Sequence, residues 1–431
     1  MIVPTVLILN YYCLIIKKTI QVAMLYSVAQ DNLNINILQN FKETKSTILF
    51  GTGNLGKIAL KAINNTNIEV IAIADNDEGK WGKQWNGYDV INPKDIKNYN
   101  QVDSIIIASL NFPYMRKQVL DVNKSINIYD FDFLLNEINL EDCNTDWSVD
   151  RCKEQLDLYT YSVNAQKKKG DLFLNSIDLV LTEKCSLKCK DCSNLMQYYA
   201  KPVDEDFDTL VNSIDKILST VGHIREVRII GGEPLLYKKI DLVINHLLKY
   251  DNYDKIYIYT NGTIVLKGDK MNVFNNPKVV FKISNYGEIS RNVEKLENKL
   301  DELNIQYITE RVRTWQDCAI IDKFDRDEEL TKSIFGNCCE NQGLTVLHGK
   351  LYLCPFAAHA TNLDAIEKYD DDIIDTKDEK NLDFKKQLED LYFNREYIGA
   401  CHSCNGRDHN VAKVEAGVQT KEVLKYQKLG Q

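Results

Sequence analysis

Three cysteines, Cys185, Cys189 and Cys192, stand four and three residues apart in the stretch LTEKCSLKCKDCSN (181–194), and their spacing carries the strongest chemical signal in the chain. A closed structural zinc site takes four protein ligands, and the next histidine is as far away as His223. A four-iron cubane held by three thiolates instead keeps one iron open to coordinate something else. Lys184, Lys188 and Lys190 interleave with the cysteines and are expected to lower their pKa toward the ligating thiolate. The competing arrangement is a buried helical stripe of cysteines at i, i+4 and i+7. Charged neighbours and the preceding apolar run IDLVL (177–181), which reads as a strand, argue against it.

A second motif follows the apolar strand EVRII (226–230): Gly231, Gly232, Glu233 and Pro234. Glycines at a strand end let backbone approach a ligand closely, and a carboxylate accepts hydrogen bonds from an ammonium group. The two motifs in this order, each at a strand end, resemble the signature of the radical S-adenosylmethionine (radical SAM) enzymes. The resemblance implies a partial six-unit β/α barrel and a [4Fe-4S] cluster whose open iron binds the amino and carboxylate groups of S-adenosylmethionine. It also implies a GGEP segment holding the methionine amino group, a flavodoxin- or ferredoxin-type reductant, and reductive cleavage to a 5'-deoxyadenosyl radical.

Further cysteines lie downstream. Cys338 and Cys339 precede the hairpin-like TVLHGKLYLCP, which carries Gly349 and Cys354, and Cys401 and Cys404 follow as C-x2-C. Four thiolates can ligate a cubane or a structural zinc ion. The order C-x9-or-10-G-x4-C, gap, C-x2-C resembles the auxiliary-cluster (SPASM/twitch-like) domain of the same superfamily, in its single-cluster form. Adjacent residues of an extended chain point opposite ways, so one of Cys338 and Cys339 is expected to ligate, and the spacing admits either. Cys318, in RTWQDCAII, stands outside every ligand set. A cysteine thiol returns the hydrogen atom in the sugar epimerases of the family, which makes Cys318 the candidate donor. The spare member of the Cys338 and Cys339 pair is its rival, and an inert core thiol is the alternative.

Nearer the N-terminus, STILFGTGNLGKIALKAINN reads as strand, glycine loop and helix, with Gly51, Gly53 and Gly56 in G-x-G-x-x-G. The next strand, VIAIAD, ends at Asp75. The pattern predicts a βαβ unit with phosphate at the helix N-terminus and the acid beside a ribose hydroxyl, or a scaffold that has kept only the fold. Residues 46–136, including ADNDEGKWGKQWNGYDVINPKDI and DSIIIAS, are similar to a Rossmann-like module that accompanies bacterial surface-polysaccharide enzymes. That likeness suggests a nucleotide-sugar ligand.

These motifs need a chain that can position them. At 431 residues with 44% hydrophobic content, there is enough sequence for two or three domains with cores. A formal charge of -9 disfavours nucleic acid and anionic membrane surfaces as partners. Twelve cysteines grouped by spacing point to metal ligation in a reducing cytoplasm rather than to disulfides.

The expected α/β organisation is a leader (1–45), a Rossmann-like parallel sheet (46–136), a helical linker (137–172), a radical SAM core (173–330), a small Cys-rich auxiliary-cluster domain (331–412) and a tail (413–431). The apolar run at 6–16 is too short and interrupted for a spanning helix, and Met24 is a candidate initiator. In the core, the strands KIYIYTNG, KVVFKISNYG and IQYITERV bring Thr260, Asn261 and Ser284 to strand ends, where parallel sheets build their sites. Simple turn chemistry is the other reading of those three. His223, His246, Cys143 and Cys152 are expected to be structural, the gap between Cys354 and Cys401 to be an acidic, partly helical and solvated insertion, and the tail to end in a short helix. The expected activity is hydrogen abstraction from a sugar or nucleotide sugar, leading to epimerisation, dehydrogenation or elimination. The alternatives are a peptide maturase and a non-catalytic iron-sulfur protein.

Overall fold

The computed structural model describes residues 44–110, 112–169, 172–265, 268–336, 338–341, 343–377, 383–407 and 411–428. The apolar run at 6–16 and Met24 lie outside them. Among the described residues no helix is long and apolar enough to cross a membrane. The chain divides into two units, Met1–Asn164 and Ala165–Gln431.

The first unit is built on a six-stranded sheet of β1 (Ser46–Phe50), β2 (Glu69–Ala74), β3 (Gln84–Trp85), β4 (Tyr88–Ile91), β5 (Ser104–Ile107) and β6 (Asn127–Tyr129) in the order β3-β4-β2-β1-β5-β6. All pairings but the β3–β4 hairpin are parallel. β1 and β5 read STILF and SIII, apolar on both faces, as strands covered by helices on both sides must be. Helix α1 (Asn54–Asn64) buries Leu55, Ile58, Ala59, Ala62 and Ile63, and α2 (Phe112–Val122) follows β5. The sheet order reverses at β1, where α/β sheets open their ligand crevice.

Helix α3 (Val149–Lys169) falls in the segment expected as a linker, yet Cys152, Leu156, Tyr159 and Val163 are buried in the core of the first unit. Spacings of four, three and four put these residues on one face, a stripe that the charged composition of the segment hid. Tyr159 donates to the Ile107 carbonyl at 2.7 Å and stacks on Phe131 with ring centroids 4.5 Å apart. Cys143 is buried in the same core, so both cysteines are ordinary packed thiols.

The second unit begins with five parallel strands in chain order: β7 (Phe173–Val180), β8 (His223–Ile230), β9 (Tyr253–Thr260), β10 (Val279–Asn285) and β11 (Gln306–Arg311). Helices α4 (Phe207–Thr220), α5 (Ile240–Leu247) and α6 (Val293–Glu302) make three of the four crossovers, and a 3-10 segment (Gly268–Phe274) lies in the β9–β10 connection. Each strand alternates. Ile177, Leu179, Val227, Ile229, Ile256 and Ile258 are buried in the main hydrophobic core. Their neighbours Asp178, Arg228 and Tyr259 face the opposite way. Each fully buried aliphatic side chain contributes about 1.5–3 kcal/mol relative to exposure, so this layer holds the strand ends in place.

β12 (Thr314–Gln316) closes the predicted core, α7 (Glu328–Gly336) straddles its boundary at 330, and β13 (Gly343–Leu347) and β14 (Lys350–Tyr352) lie beyond it. Strand β13 pairs parallel with β7 and antiparallel with β14, so the expected hairpin also supplies the sixth parallel strand of an eight-stranded sheet. After α8 (Pro355–Asn362), the gap expected to be a solvated insertion instead adds β15 (Ile373–Asp375) to the sheet and α9 (Phe384–Phe393) to the core. Phe384, Leu388, Leu391 and Tyr392 of α9 are buried, a face that the acidic residues around it masked. The tail, expected to end in a short helix, forms β16 (Lys413–Glu415) antiparallel to β12 and holds no helix among its described residues. His223 and His246 hydrogen-bond Asp254 and Asp215 at 2.8 and 2.5 Å, as structural histidines do.

Candidate functional site

The loop leaving β7 carries Cys185, Cys189 and Cys192 within one neighbourhood: burial raises the Tyr286 hydroxyl pKa, and the charges of all three thiols raise it further. Burial also lifts the thiols themselves, Cys189 to about 11, so desolvation outweighs the lysines that were expected to lower them. Lys184 is engaged elsewhere, 2.8 Å from Asp204. Metal ligation would supply what the lysines do not, because a bound metal displaces the thiol proton outright.

Across from this loop, Gly231 and Gly232 allow an approach that no side chain would permit. A Cβ on Gly232 would lie 2.3 Å from the Lys184 carbonyl oxygen and 2.9 Å from Cys185 Cβ. Hydrogen bonds lace the two loops together: Gly232 N donates to the Thr182 carbonyl and Glu233 N to the Lys184 carbonyl, both at 2.8 Å.

Glu233 was expected to receive an ammonium, but it is turned into the protein and fully buried. Its carboxylate accepts from Asn261 N at 2.8 Å, Thr260 Oγ1 at 2.9 Å and Leu235 N at 3.2 Å. Burial pushes the group up to about 7 against the pull of those bonds. A carboxylate at a strand end meets the free N–H groups of the next strand's turn before it meets a ligand, and here it is saturated by them. Pro234 is buried behind it. Asn261 makes a turn of its own, accepting from Thr263 N at 3.0 Å, and its Nδ2 lies 3.6 Å from Cys185 Sγ.

A cavity of about 400 Å³ opens beside these loops, lined by Cys192, Asn194, Gly231, Gly232, Asn261 and Ser284 among others. Five residues unremarked in the sequence line it too: Asp178, Arg228, Tyr259, Glu340 and Arg407. The strand patterns NSIDLV, REVRII and YIYT, charged or polar at every second position inside a core sheet, are the signal that could have found the first three. Cys318 lies behind Arg407, whose Nε donates to its Sγ at 3.2 Å. Its charge adds to the burial that raises Cys192 on one side and Cys404 on the other.

The tail also reaches the cysteine loop. Gln419 accepts from Lys188 N at 2.8 Å and donates to Cys189 Sγ at 3.1 Å, while Lys190 N donates to the Val418 carbonyl at 2.7 Å. Nothing in its spacing marks this segment, because only pairing with a distant loop gives it a function.

Among the downstream cysteines, Cys338, Cys354, Cys401 and Cys404 line one small apolar cavity with Phe335, Phe356 and Ile398. Cys339 is exposed at the adjacent turn, its N–H donating to the Arg407 carbonyl at 3.2 Å. Among the described residues no group of three or more His, Cys, Asp or Glu is arranged to hold a single metal ion. Three thiols on one loop and four around one apolar void are donor sets that fit iron-sulfur cubanes.

The hairpin carrying Cys354 is tied to the first loop through His348, held at φ +52°. Its Nε2 bonds Glu183 at 2.9 Å and its Nδ1 lies 3.2 Å from Glu205. These two carboxylates raise the imidazole to about 9. A raised histidine stabilises the fold fully below its unfolded pKa near 6.5, and that contribution is lost as pH rises through about 9. Wild type is therefore expected to lose several degrees of melting temperature between pH 6.5 and 9.5 that a His348→Gln variant does not lose. Parallel pH curves for the two proteins would contradict this linkage.

In the first unit, Gly51 (φ +120°) and Gly56 hold the glycine loop tight; a Cβ on Gly56 would sit 2.0 Å from the Gly51 carbonyl oxygen. Gly53 caps α1 with nothing within 4 Å of its Cβ position. Asp75, predicted beside a ribose, has its carboxylate bound by Thr52 N at 2.8 Å, Thr52 Oγ1 at 2.5 Å and Asp77 N at 2.8 Å. The loop's own donors reach it first.

Residues 179–315 match the radical SAM superfamily, and residues 43–135 match the C2185-like N-terminal domain. The chain is 28% identical over 102 residues to a GTP 3',8-cyclase of Syntrophomonas wolfei, covering 22% of this chain and 29% of that protein. It is 26% identical over 193 residues to a GTP 3',8-cyclase of Clostridium perfringens, covering 41% and 55%. The chain thus spans about half or less of these curated relatives. Among solved structures, BtrN in complex with AdoMet and 2-DOIA aligns at 16% identity and a TM-score of 0.33, covering 59% of this chain and 98% of that one. By the family match, residues 179–315 of the second unit form a radical SAM domain, which implies a [4Fe-4S] cluster and S-adenosylmethionine.

Proposed function

We propose that the chain is a radical SAM enzyme that abstracts a hydrogen atom from a sugar or from the sugar part of a nucleotide sugar, in glycan biosynthesis. The observation that carries the reading is the meeting of the loop that bears Cys185, Cys189 and Cys192 with the Gly231 and Gly232 turn, Cys185 against Gly232 and Cys192 at the edge of the same cavity. Cys185, Cys189 and Cys192 would hold a four-iron cubane, which when bound would supply the electron for reductive cleavage of S-adenosylmethionine. The protein's part is positional. Buried Glu233 fixes the turn of Thr260 and Asn261, the two glycines admit the methionine group, and Asn261 and Ser284 present polar groups to it. Gln419 steadies Cys189. A flavodoxin or ferredoxin in a reducing cytoplasm suits such a centre.

Cys338, Cys354, Cys401 and Cys404 hold the auxiliary cluster in this reading, with Cys339 the spare thiol. Iron analysis of reconstituted wild type is expected to give about eight irons per chain, and a Cys401→Ala, Cys404→Ala variant about four. Stoichiometric zinc with four irons in wild type would make the second site structural.

The sugar half of the proposal rests on the polysaccharide-type N-terminal module, whose glycine loop opens at Gly53 and would take a diphosphate. Reduced enzyme incubated with ring-deuterated UDP-hexoses is expected to transfer deuterium into 5'-deoxyadenosine. Separately, the glycine loop is expected to bind UDP-hexoses in calorimetry, and Gly53→Asp is expected to weaken that binding by setting a carboxylate against the phosphates. Unchanged binding in that variant would reduce the module to a scaffold.

A further inference from the structure

Residues 417–420 lie along the cysteine loop as a strand would. Lys190 N donates to the Val418 carbonyl and Thr420 N to the Lys188 carbonyl, both at 2.7 Å, and Cys189 and Gln419 face each other in an antiparallel bridge. Because the flanking residues make those bonds, the facing pair is the non-hydrogen-bonded kind, in which antiparallel side chains come closest. Gln419 therefore rests against Cys189 because the backbone puts it there.

The orientation of its amide is fixed from both ends. Oε1 accepts from Lys188 N at 2.8 Å, a group that can only donate, and Nε2 lies 2.7 Å from the Gly417 carbonyl, which can only accept. The atom 3.1 Å from Cys189 Sγ is thus an N–H donor. On the rest of the loop the donors are local: the backbone N–H of Leu187 serves Cys185, and those of Asn194 and Met196 serve Cys192. The donor at Cys189 is a side chain from 230 residues further along the chain.

The strap that carries Gln419 is anchored beyond the loop. Leu424 N donates to the Gln197 carbonyl at 2.9 Å and the Tyr426 hydroxyl to the Leu363 carbonyl at 2.6 Å, while the Tyr426 ring meets Tyr198 edge to face at 5.5 Å. A donor held in place in advance needs no reorganisation when the charge beside it changes. An N–H aimed at a ligating sulfur favours the more negative state of the centre, and hydrogen bonds to the sulfurs are among the features that set such potentials.

We propose that Gln419 is a positioning residue of the radical SAM centre: its side-chain N–H holds the Cys189 sulfur and makes the centre easier to reduce by one electron from a flavodoxin- or ferredoxin-type donor. The inference rests on the ligand reading above and adds to it a determinant of potential, contributed by the strap.

The test is a dithionite redox titration followed by electron paramagnetic resonance, on the full chain reconstituted with iron and sulfide, as wild type, Gln419→Glu and Gln419→Leu. The signal followed is the one that added S-adenosylmethionine perturbs, which separates this centre from the auxiliary one. Gln419→Glu keeps the acceptor for Lys188 N and loses the donor, whereas Gln419→Leu loses both without adding charge. In Gln419→Leu the reduced-to-oxidised ratio at a fixed potential is expected to fall about three- to tenfold, a downward shift of roughly 30–60 mV for one electron. Gln419→Glu is expected to fall at least as far, since a carboxylate repels the added electron. Iron content and melting temperature, read on the same samples, are expected to stay near wild type, because the hydrophobic core of this unit is built from other residues. Equal potentials in all three proteins, whatever the iron content, or a shift confined to Gln419→Glu, would overturn the inference. A wild-type signal that S-adenosylmethionine leaves unmoved would sink the ligand reading, and the inference with it.

Discussion

Cys189→Ala is expected to lose S-adenosylmethionine cleavage by more than about 100-fold while keeping its fold. Outer contacts of a metal centre are already worth 10–100-fold, and a ligand is worth more. The fold survives for a separate reason. Cys189 sits on a loop whose backbone is pinned by the tail, and the hydrophobic core of the second unit is built from the strands and helices instead. Removing one sulfur atom there costs about 1 kcal/mol of packing. The checks are product chromatography, iron content and circular dichroism on one preparation. Retained cleavage would contradict the ligand assignment, and loss of both cleavage and secondary structure would show the thiol to be structural.

Gly231→Ala is expected to be nearly as severe, by another route. The residue sits at φ +150°, and an added Cβ would lie 2.3 Å from the Thr182 carbonyl oxygen. Backbone strain of about 1–3 kcal/mol adds to overpacking of about 1–3 kcal/mol. The cysteine loop must also retreat from the turn it is hydrogen-bonded to, so cleavage is expected to fall with stability. Gly53→Ala is the internal control. Its Cβ meets nothing within 4 Å and its φ of -70° is ordinary, so about 1 kcal/mol, the difference between Gly and Ala as an N-cap, is the expected cost. Chemical denaturation of both variants checks the contrast, and equal stabilities would show the loop contact to be adjustable.

How much of this was legible depends on distance along the chain. The parallel sheets, the strand before each motif and the hairpin before Cys354 were readable because the hydrophobic period and the glycine punctuation are local. Cys185, Cys189 and Cys192 could be grouped as candidate ligands for the same reason, since they share one loop. The choice between Cys338 and Cys339 was not, because it depends on which thiol faces Cys354, Cys401 and Cys404 across the fold. Glu233 and Asp75 were read as ligand contacts from type and position. In the fold, neighbouring N–H groups saturate both carboxylates, a competition that spacing does not reveal. The strand and loop pairing of the tail was not readable because its partners, β12 and the cysteine loop, lie about 100 and 230 residues earlier.

The most direct test of the account is anaerobic reduction of the reconstituted wild-type chain with S-adenosylmethionine, followed by quantitation of both halves of the cleaved molecule. The account predicts 5'-deoxyadenosine and methionine in equal amounts, absent in a protein lacking Cys185, Cys189 and Cys192. Intact S-adenosylmethionine after full reduction of a four-iron centre, or cleavage that persists without those three thiols, would contradict it.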